Sequence, residues 1–225
     1  MATTNINVTA QAYDTIQNEG SNLTQRSTID FVGAGVTASD NGTKTVVTIP
    51  GPVATTNYGL FAQTANSTPI TNTTTETNLI NGGVGTLTVP ANGFTVGDSF
   101  TAVMAGILNC ANNQTIRIRV KAGSVILLDS GVQSITNITN DVFSLNVDFT
   151  IRAIGAAGVA SIVSLGTFHY VKTTNASTQG FAFNTVNSTT FDTTISNTLS
   201  ITVQWGAANS GNSIYSDIFT LSKTY

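Results

Sequence analysis

Hydrophobic side chains recur at every second position through much of this chain. In residues 144–152, SLNVDFTIR, Leu145, Val147, Phe149 and Ile151 fall on one side. Asn146, Asp148, Thr150 and Arg152 fall on the other, which is the period of a strand with one buried face. The same alternation turns Ile116, Ile118 and Val120 inward in residues 115–121, and Leu199, Ile201, Val203 and Trp205 inward in residues 199–205. Further strands are predicted at 59–63, 85–89, 99–107, 123–128, 158–165, 167–172, 180–186 and 214–222, between turns rich in Gly, Asn and Ser. No stretch keeps a helical period across successive turns. About ten antiparallel strands with one-sided patterning need two sheets face to face or one closed sheet. The expected fold is therefore all-β, an antiparallel jelly-roll-like β-sandwich.

Two segments do not alternate. Residues 155–165, GAAGVASIVSL, contain little polar interruption, and residues 99–108 are nearly continuous in apolar side chains. A strand that is apolar on both faces must be covered on both. In a sandwich of this size a neighbouring subunit can supply the second cover, so an oligomer is expected, and ring symmetry would also protect exposed strand edges.

The first residues follow a different plan. Residues 1–27 are polar and lack heptads, which excludes a coiled-coil stalk. Residues 28–49 then read as a hairpin: a Gly33-Ala34-Gly35 corner, a turn at Asp40-Asn41-Gly42, and flanking strand segments. Pro50-Gly51-Pro52 opens a linker. The expected division is a small N-terminal β-hairpin module with its linker, 1–55, and a β-sandwich head, 56–225. A lone hairpin is marginal in water at best, so the module needs partners.

A spaced pattern runs through that module: Glu19-Gly20, Leu23, Arg26, Ile29, Phe31, Gly33, Gly35-Val36, Asp40 and Val47-Thr48-Ile49-Pro50. It resembles a short module that recurs in bacteriophage virion proteins, especially tail fibres and related appendages. The head resembles, in style, the trimeric β-sandwich heads that end viral fibres and spikes, as in residues 87–98, LTVPANGFTVGD. The resemblance implies a homotrimer whose N-terminal region joins other virion proteins while the head points outward. Three hairpins carrying Ile29, Phe31, Val47 and Ile49 could share a small core that one copy lacks. Gly33 and Gly35 would let their backbones approach closely.

Composition narrows the functions. Only 8% of residues are charged, threonine appears 40 times and glutamate twice. β-branched threonine suits strands, and a surface of neutral hydroxyls and amides should respond little to salt or pH. A net charge of −3 offers no basic field for nucleic acid. No segment reaches the roughly 18 consecutive apolar residues of a membrane span, and the start, MATTNINVTAQ, lacks the regions of a secretory signal. The expected location is the virion, reached from the host cytoplasm.

Candidate chemistry is sparse. His169, the only histidine, sits between aromatics in residues 167–171, TFHYV, and reads as structural. Cys110 is the only cysteine and lacks basic neighbours, so it reads as a small buried side chain. Among the acids, Asp192 and Asp217 are the pair to test for glycoside cleavage, which needs two carboxyl groups about 5–10 Å apart. Polysaccharide-cutting spikes need a longer body, and no enzyme, cofactor or metal is expected. Arg117, Arg119 and Lys121 form a stripe that should pair across strands with acids such as Asp148, or else serve anionic polymers. For a glycan, exposed aromatics beside polar loops are the useful groups. Trp205, Asn209, Asn212 and Tyr215 flank one such loop, with Asn175 and Asn187 on other rims, although Trp205 also continues an inward series.

The expectation is a short trimeric tail fibre or spike whose head binds a host-surface glycan. The alternative is a trimeric capsid decoration or head-fibre protein that braces the shell. Copy number separates them: decoration demands hundreds of copies per particle, and fibres a few dozen or fewer.

Overall fold

The computed structural model describes residues 17–18, 21–24, 26, 30, 36–40, 42–43, 45–48, 59–173, 176–186 and 191–225. The chain divides into two units, Met1–Thr55 and Thr56–Tyr225. In the first, β1 (Gln17–Asn18) pairs with β2 (Ser21–Asn22), and β3 (Thr37–Asp40) with β4 (Thr45–Thr48), both antiparallel. Asp40 lies opposite Thr45, and Gly42 in the connection has φ +84°, a left-handed conformation that favours glycine. The loop is thus wider than the tight turn expected from Asn41-Gly42. Of the residues expected to build a trimer module, Val47 is half-buried on β4; Ile29, Phe31, Gly33, Gly35 and Ile49 lie outside the described residues.

The second unit is a two-layer antiparallel sandwich, and among the described residues there is no helix. Five short strands come first: β5 (Leu60–Gln63), β6 (Ile70–Thr71), β7 (Thr77–Asn78), β8 (Gly83–Thr86) and β9 (Thr88–Val89). The body follows: β10 (Ser99–Cys110), β11 (Gln114–Ala122), β12 (Val125–Asp129), β13 (Gln133–Ile135), β14 (Ile138–Ala153), β15 (Ser161–Lys172), β16 (Ser177–Val186), β17 (Asn197–Trp205) and β18 (Ser213–Lys223). The larger sheet runs β16-β15-β14-β10-β18-β5-β8, with β6 also on β18. The smaller runs β12-β11-β17-β7, with β13 on β11 and β9 on β17.

The chain crosses between sheets from β10 to β11 and again from β17 to β18, so β10 pairs with β18 while β11 pairs with β17. A jelly roll shares those two pairings. Here, however, the meander β14-β15-β16 extends the larger sheet beyond β10, so the strands do not divide four and four. Sandwich is the architecture; the finer jelly-roll form is not confirmed.

Predicted inward residues make the core. Leu145, Val147 and Ile151 on β14, Ile116, Ile118 and Val120 on β11, and Ile201, Val203 and Trp205 on β17 are buried almost completely. Aromatic rings bind the larger sheet's inner face. Phe100 stacks on Phe149 with centroids 5.1 Å apart, and Phe168 stacks on Phe143 and Phe181 at 5.5 and 5.2 Å, separations typical of favourable ring pairs.

The two non-alternating segments resolve differently. Residues 155–160 are loop, and β15 begins only at Ser161, turning Ser164 and Gly166 inward. The two strands expected at 158–165 and 167–172 are therefore one. On β10 the segment is strand throughout: Phe100, Ala102, Met104 and Leu108 are buried, while Val103 on the outer side is 36% exposed.

Candidate functional site

Charge is concentrated on the outer face of the smaller sheet. Alternation on β11 turns Arg117, Arg119 and Lys121 outward together. Arg117 donates from Nε to Asp129 Oδ1 at 2.8 Å and from Nη2 to Oδ2, a two-point contact that suits the guanidinium fork. Arg119 donates to Glu76 at 2.7 Å, to Asp129 at 3.3 Å and to Gln204 Oε1 at 3.2 Å. Lys121 reaches Glu76 at 3.3 Å. Asp148, the expected partner, is on β14 in the other sheet, where it accepts from the Thr101 hydroxyl at 2.6 Å. The pairing partners are therefore Asp129 and Glu76. Asp129 ends β12, the neighbour of β11, whereas Glu76 arrives from 43 residues upstream of Arg119.

Residues 71–77 form an arch that brings Glu76 to this face. Thr77 and Asn78 pair with Val203 and Thr202 on β17. The Thr202 hydroxyl donates to Glu76 at 2.6 Å, and Gln204 Nε2 donates to Thr74 O at 3.1 Å. The Thr202 hydrogen bond, with Lys121 and Arg119, holds the Glu76 carboxyl below its ordinary pKa despite its partial burial. The Arg117 contact does the same for Asp129 and raises the guanidinium in return.

Beside the arch lies a hollow of about 290 Å³. Thr74, Thr115, Arg117, Gln204, Gly206 and Val132 wall it, with Ile116 and Trp205 behind. Arg117 spends Nε–H and one Nη2–H on Asp129, which leaves guanidinium donors for a hydroxyl-rich ligand. The Thr74 and Thr115 hydroxyls can both donate and accept, and Val132, 67% exposed, adds an apolar wall. A second hollow of about 250 Å³ borders the same arch, lined by Ser67, Thr71, Thr73, Thr77, Asn78 and Asn81 among others.

The loop cluster predicted around Trp205 is dispersed. Trp205 is 1% exposed, and its Nε1 donates to Ile70 O at 3.2 Å. It has no free face for a sugar ring, because the inward series on β17 carries it into the core. Asn212 is fully buried: its Oδ1 accepts from Ala111 N–H at 3.1 Å and its Nδ2 donates to Gln114 Oε1 at 3.1 Å. It ties the 206–212 loop to the β10–β11 turn and is not presented to solvent. Asn209 is half-exposed and accepts from Gly211 N–H at 2.8 Å. Tyr215 belongs to the larger sheet, opposite Ile107. Asn175 and Asn187 lie outside the described residues.

The remaining candidates are equally scattered. Asp192 accepts from Thr194 N–H and its hydroxyl at 2.8 and 2.6 Å in the segment before β17, while Asp217 sits in a bulge of β18. No interaction joins them. Burial pushes the Cys110 thiol up to about 12, leaving it protonated and unreactive at neutral pH. His169 is exposed on the outer face of β15, between Ser144 and Gly180. Among the described residues, no group of three His, Cys, Asp or Glu is placed to hold a metal, and no helix is long and apolar enough to cross a membrane.

The sequence does not single out Thr74 or Gln204, and Glu76 counts there only as one of the available acids, with no partner assigned. Residues 71–77, TNTTTET, carry no pattern that points to β17; the one available signal was a lone glutamate in a chain almost without them. No family model, curated protein or solved structure matches this chain.

Proposed function

We propose that this protein is a non-enzymatic virion component, a short homotrimeric fibre or spike whose β-sandwich head engages a host-surface glycan. The observation that carries the reading is the outer face of the larger sheet. There Val103, Val142, Leu165 and Ile218 are 36%, 57%, 50% and 57% exposed on strands in one continuous layer. Several large apolar side chains exposed on one sheet face favour association, and sister copies are the simplest cover for them. The N-terminal resemblance to tail-fibre modules supports the virion setting and a particle-joining role for residues 1–55.

The threonine-rich hollows beside the 71–77 arch support a saccharide as the ligand. Their hydroxyl, amide and guanidinium groups match the alternating donors and acceptors of a sugar. Each site is shallow, so binding would rest on threefold repetition within a fibre and on several fibres per particle. Light scattering of the full chain at micromolar concentration tests the assembly: three copies are expected, and a stable monomer would remove the reason for it.

A further inference from the structure

The three cations of β11 are engaged unequally. Arg119 gives its donors to Glu76, Asp129 and Gln204, and only 11% of its side chain stays exposed. Lys121 pairs with Glu76 and lines neither hollow beside the arch. Arg117 keeps 35% of its side chain exposed and lines the hollow of about 290 Å³. Its Nε–H and one Nη2–H go to Asp129. The other edge of the guanidinium carries Nη1 and the second Nη2 hydrogen, and it bonds no described residue. Two parallel N–H groups on that edge make a second fork, the shape that meets an oxyanion at two points.

Charge favours an anion at this fork. Glu76 and Asp129 oppose three cations, which leaves the cluster one surplus positive charge in a chain whose net charge is −3. Every carboxylate oxygen of the cluster is already engaged. Glu76 Oε1 accepts from Thr202 and Lys121, and Oε2 from Arg119. Asp129 Oδ1 accepts from Arg117 and the Gly131 N–H, and Oδ2 from both arginines. Arg117 is the one charged residue lining the hollow, and no acid lines it.

The walls suit a sugar around that charge. Thr115 lies two positions before Arg117 on the same face of β11, beside Gly206. A Cβ at residue 206 would come 2.0 Å from Thr115 Oγ1, so glycine there leaves the hydroxyl its place in the wall. Thr74 adds a hydroxyl from the arch, and Val132 an exposed apolar surface. A few polar groups set in such a wall fix a ligand's orientation.

We propose that the saccharide bound beside the 71–77 arch is an acidic one, its carboxylate or sulfate on the free edge of Arg117 and its hydroxyls on Thr115 and Thr74. This inference rests on the saccharide reading above and adds to it the class of sugar and the residue that selects it. A neutral sugar would leave both the second fork and the surplus charge unanswered.

Binding of the full chain to immobilised glycans tests it in three arms: oligosaccharides carrying uronic acids, oligosaccharides carrying sulfate, and neutral oligosaccharides of matched length. Acidic glycans should be retained, and the first two arms show which acid group is read. Arg117→Lys keeps a cation beside Asp129 but lacks the fork. It should weaken acidic binding by about tenfold or more while the melting midpoint stays near that of the wild type. Thr115→Val, which touches no ion pair, should weaken the same binding by severalfold. Neutral glycans retained as well as acidic ones would overturn the acidic assignment and leave the saccharide reading standing. So would acidic binding that neither substitution changes. Retention in none of the three arms would overturn both.

Discussion

Glu76 gathers three side chains of the smaller sheet. It accepts from Thr202, Arg119 and Lys121, which come from two strands, while itself belonging to the arch. Its depressed pKa makes it a stabilising group above the ordinary carboxylate range, and that contribution is lost as pH falls through its lower folded value. Asp129 behaves alike. For Asp98, burial works in the opposite direction, but hydrogen bonds from Lys223 and Thr95 outweigh it and the pKa is again lowered. Glu76→Gln should cost about 1–2 kcal/mol at neutral pH and should flatten the remaining loss of stability below about pH 4. Thermal melts from pH 7 to pH 2 measure both effects, and an unchanged midpoint at pH 7 would show that the arch is held by something else.

At the scale of elements, the bulge on β18 decides how the two sheets are joined. Between Ala105 and Gly106 the register with β18 shifts, so Ile218 faces Ala105 while Ser216 faces Gly106. Ser216 is buried: its single hydroxyl hydrogen is shared between Leu79 O at 2.9 Å and Gln63 Oε1 at 3.0 Å. Leu79 in turn donates its N–H to Ile201 O on the smaller sheet at 2.8 Å. The bulge thus anchors the segment that spans the sandwich edge and delivers the 71–77 arch. A Cβ on Gly106 would come 2.0 Å from Tyr215 O, which is backbone and cannot swing aside. Gly106→Ala should therefore destabilise the head by about 1–3 kcal/mol and lower its chemical-denaturation midpoint. A wild-type midpoint would mean that β18 can slide to a regular ladder. Long strands with one polar face were legible before the fold was known, because alternation on β11, β14 and β17 is nearly complete. The short strands β6 and β7 were not, since two residues carry no period, and the single strand expected at 85–89 is the end of β8 followed by β9.

For the whole molecule, low charge has a measurable consequence. The salt bridges of the head use few side chains, and Arg119 and Asp98 are largely withdrawn from water. Screening acts weakly on buried pairs. Raising sodium chloride from about 0.05 to 1 M at pH 7 should move the melting midpoint by less than about 4 °C, the equivalent of roughly 1 kcal/mol for a domain of this size. Acid should act more strongly, through the depressed carboxylates of Glu76, Asp98 and Asp129. The uncharged composition alone argues for indifference to both; the placement of Glu76, Asp98 and Asp129 restores a dependence on pH that composition does not reveal. A large salt shift at neutral pH would mean that exposed charges, and not the buried network, govern stability.

Periodicity by itself determined the all-β class and most of the core, because burial of alternate side chains is a local property that each strand displays alone. It also determined that Arg117, Arg119 and Lys121 share a face. Only the tertiary structure decided which acids meet them, since Glu76 reaches β11 through a bulge and an arch that depend on contacts distant in sequence. The same holds for Asn212: a loop setting suggested exposure, and hydrogen bonds with Ala111 and Gln114 bury it, whereas the burial of Trp205 was already written in the alternation of β17. Alternation specifies which way a side chain points from its own strand; what stands opposite is set by strand order and register, and those are properties of the assembled sheets.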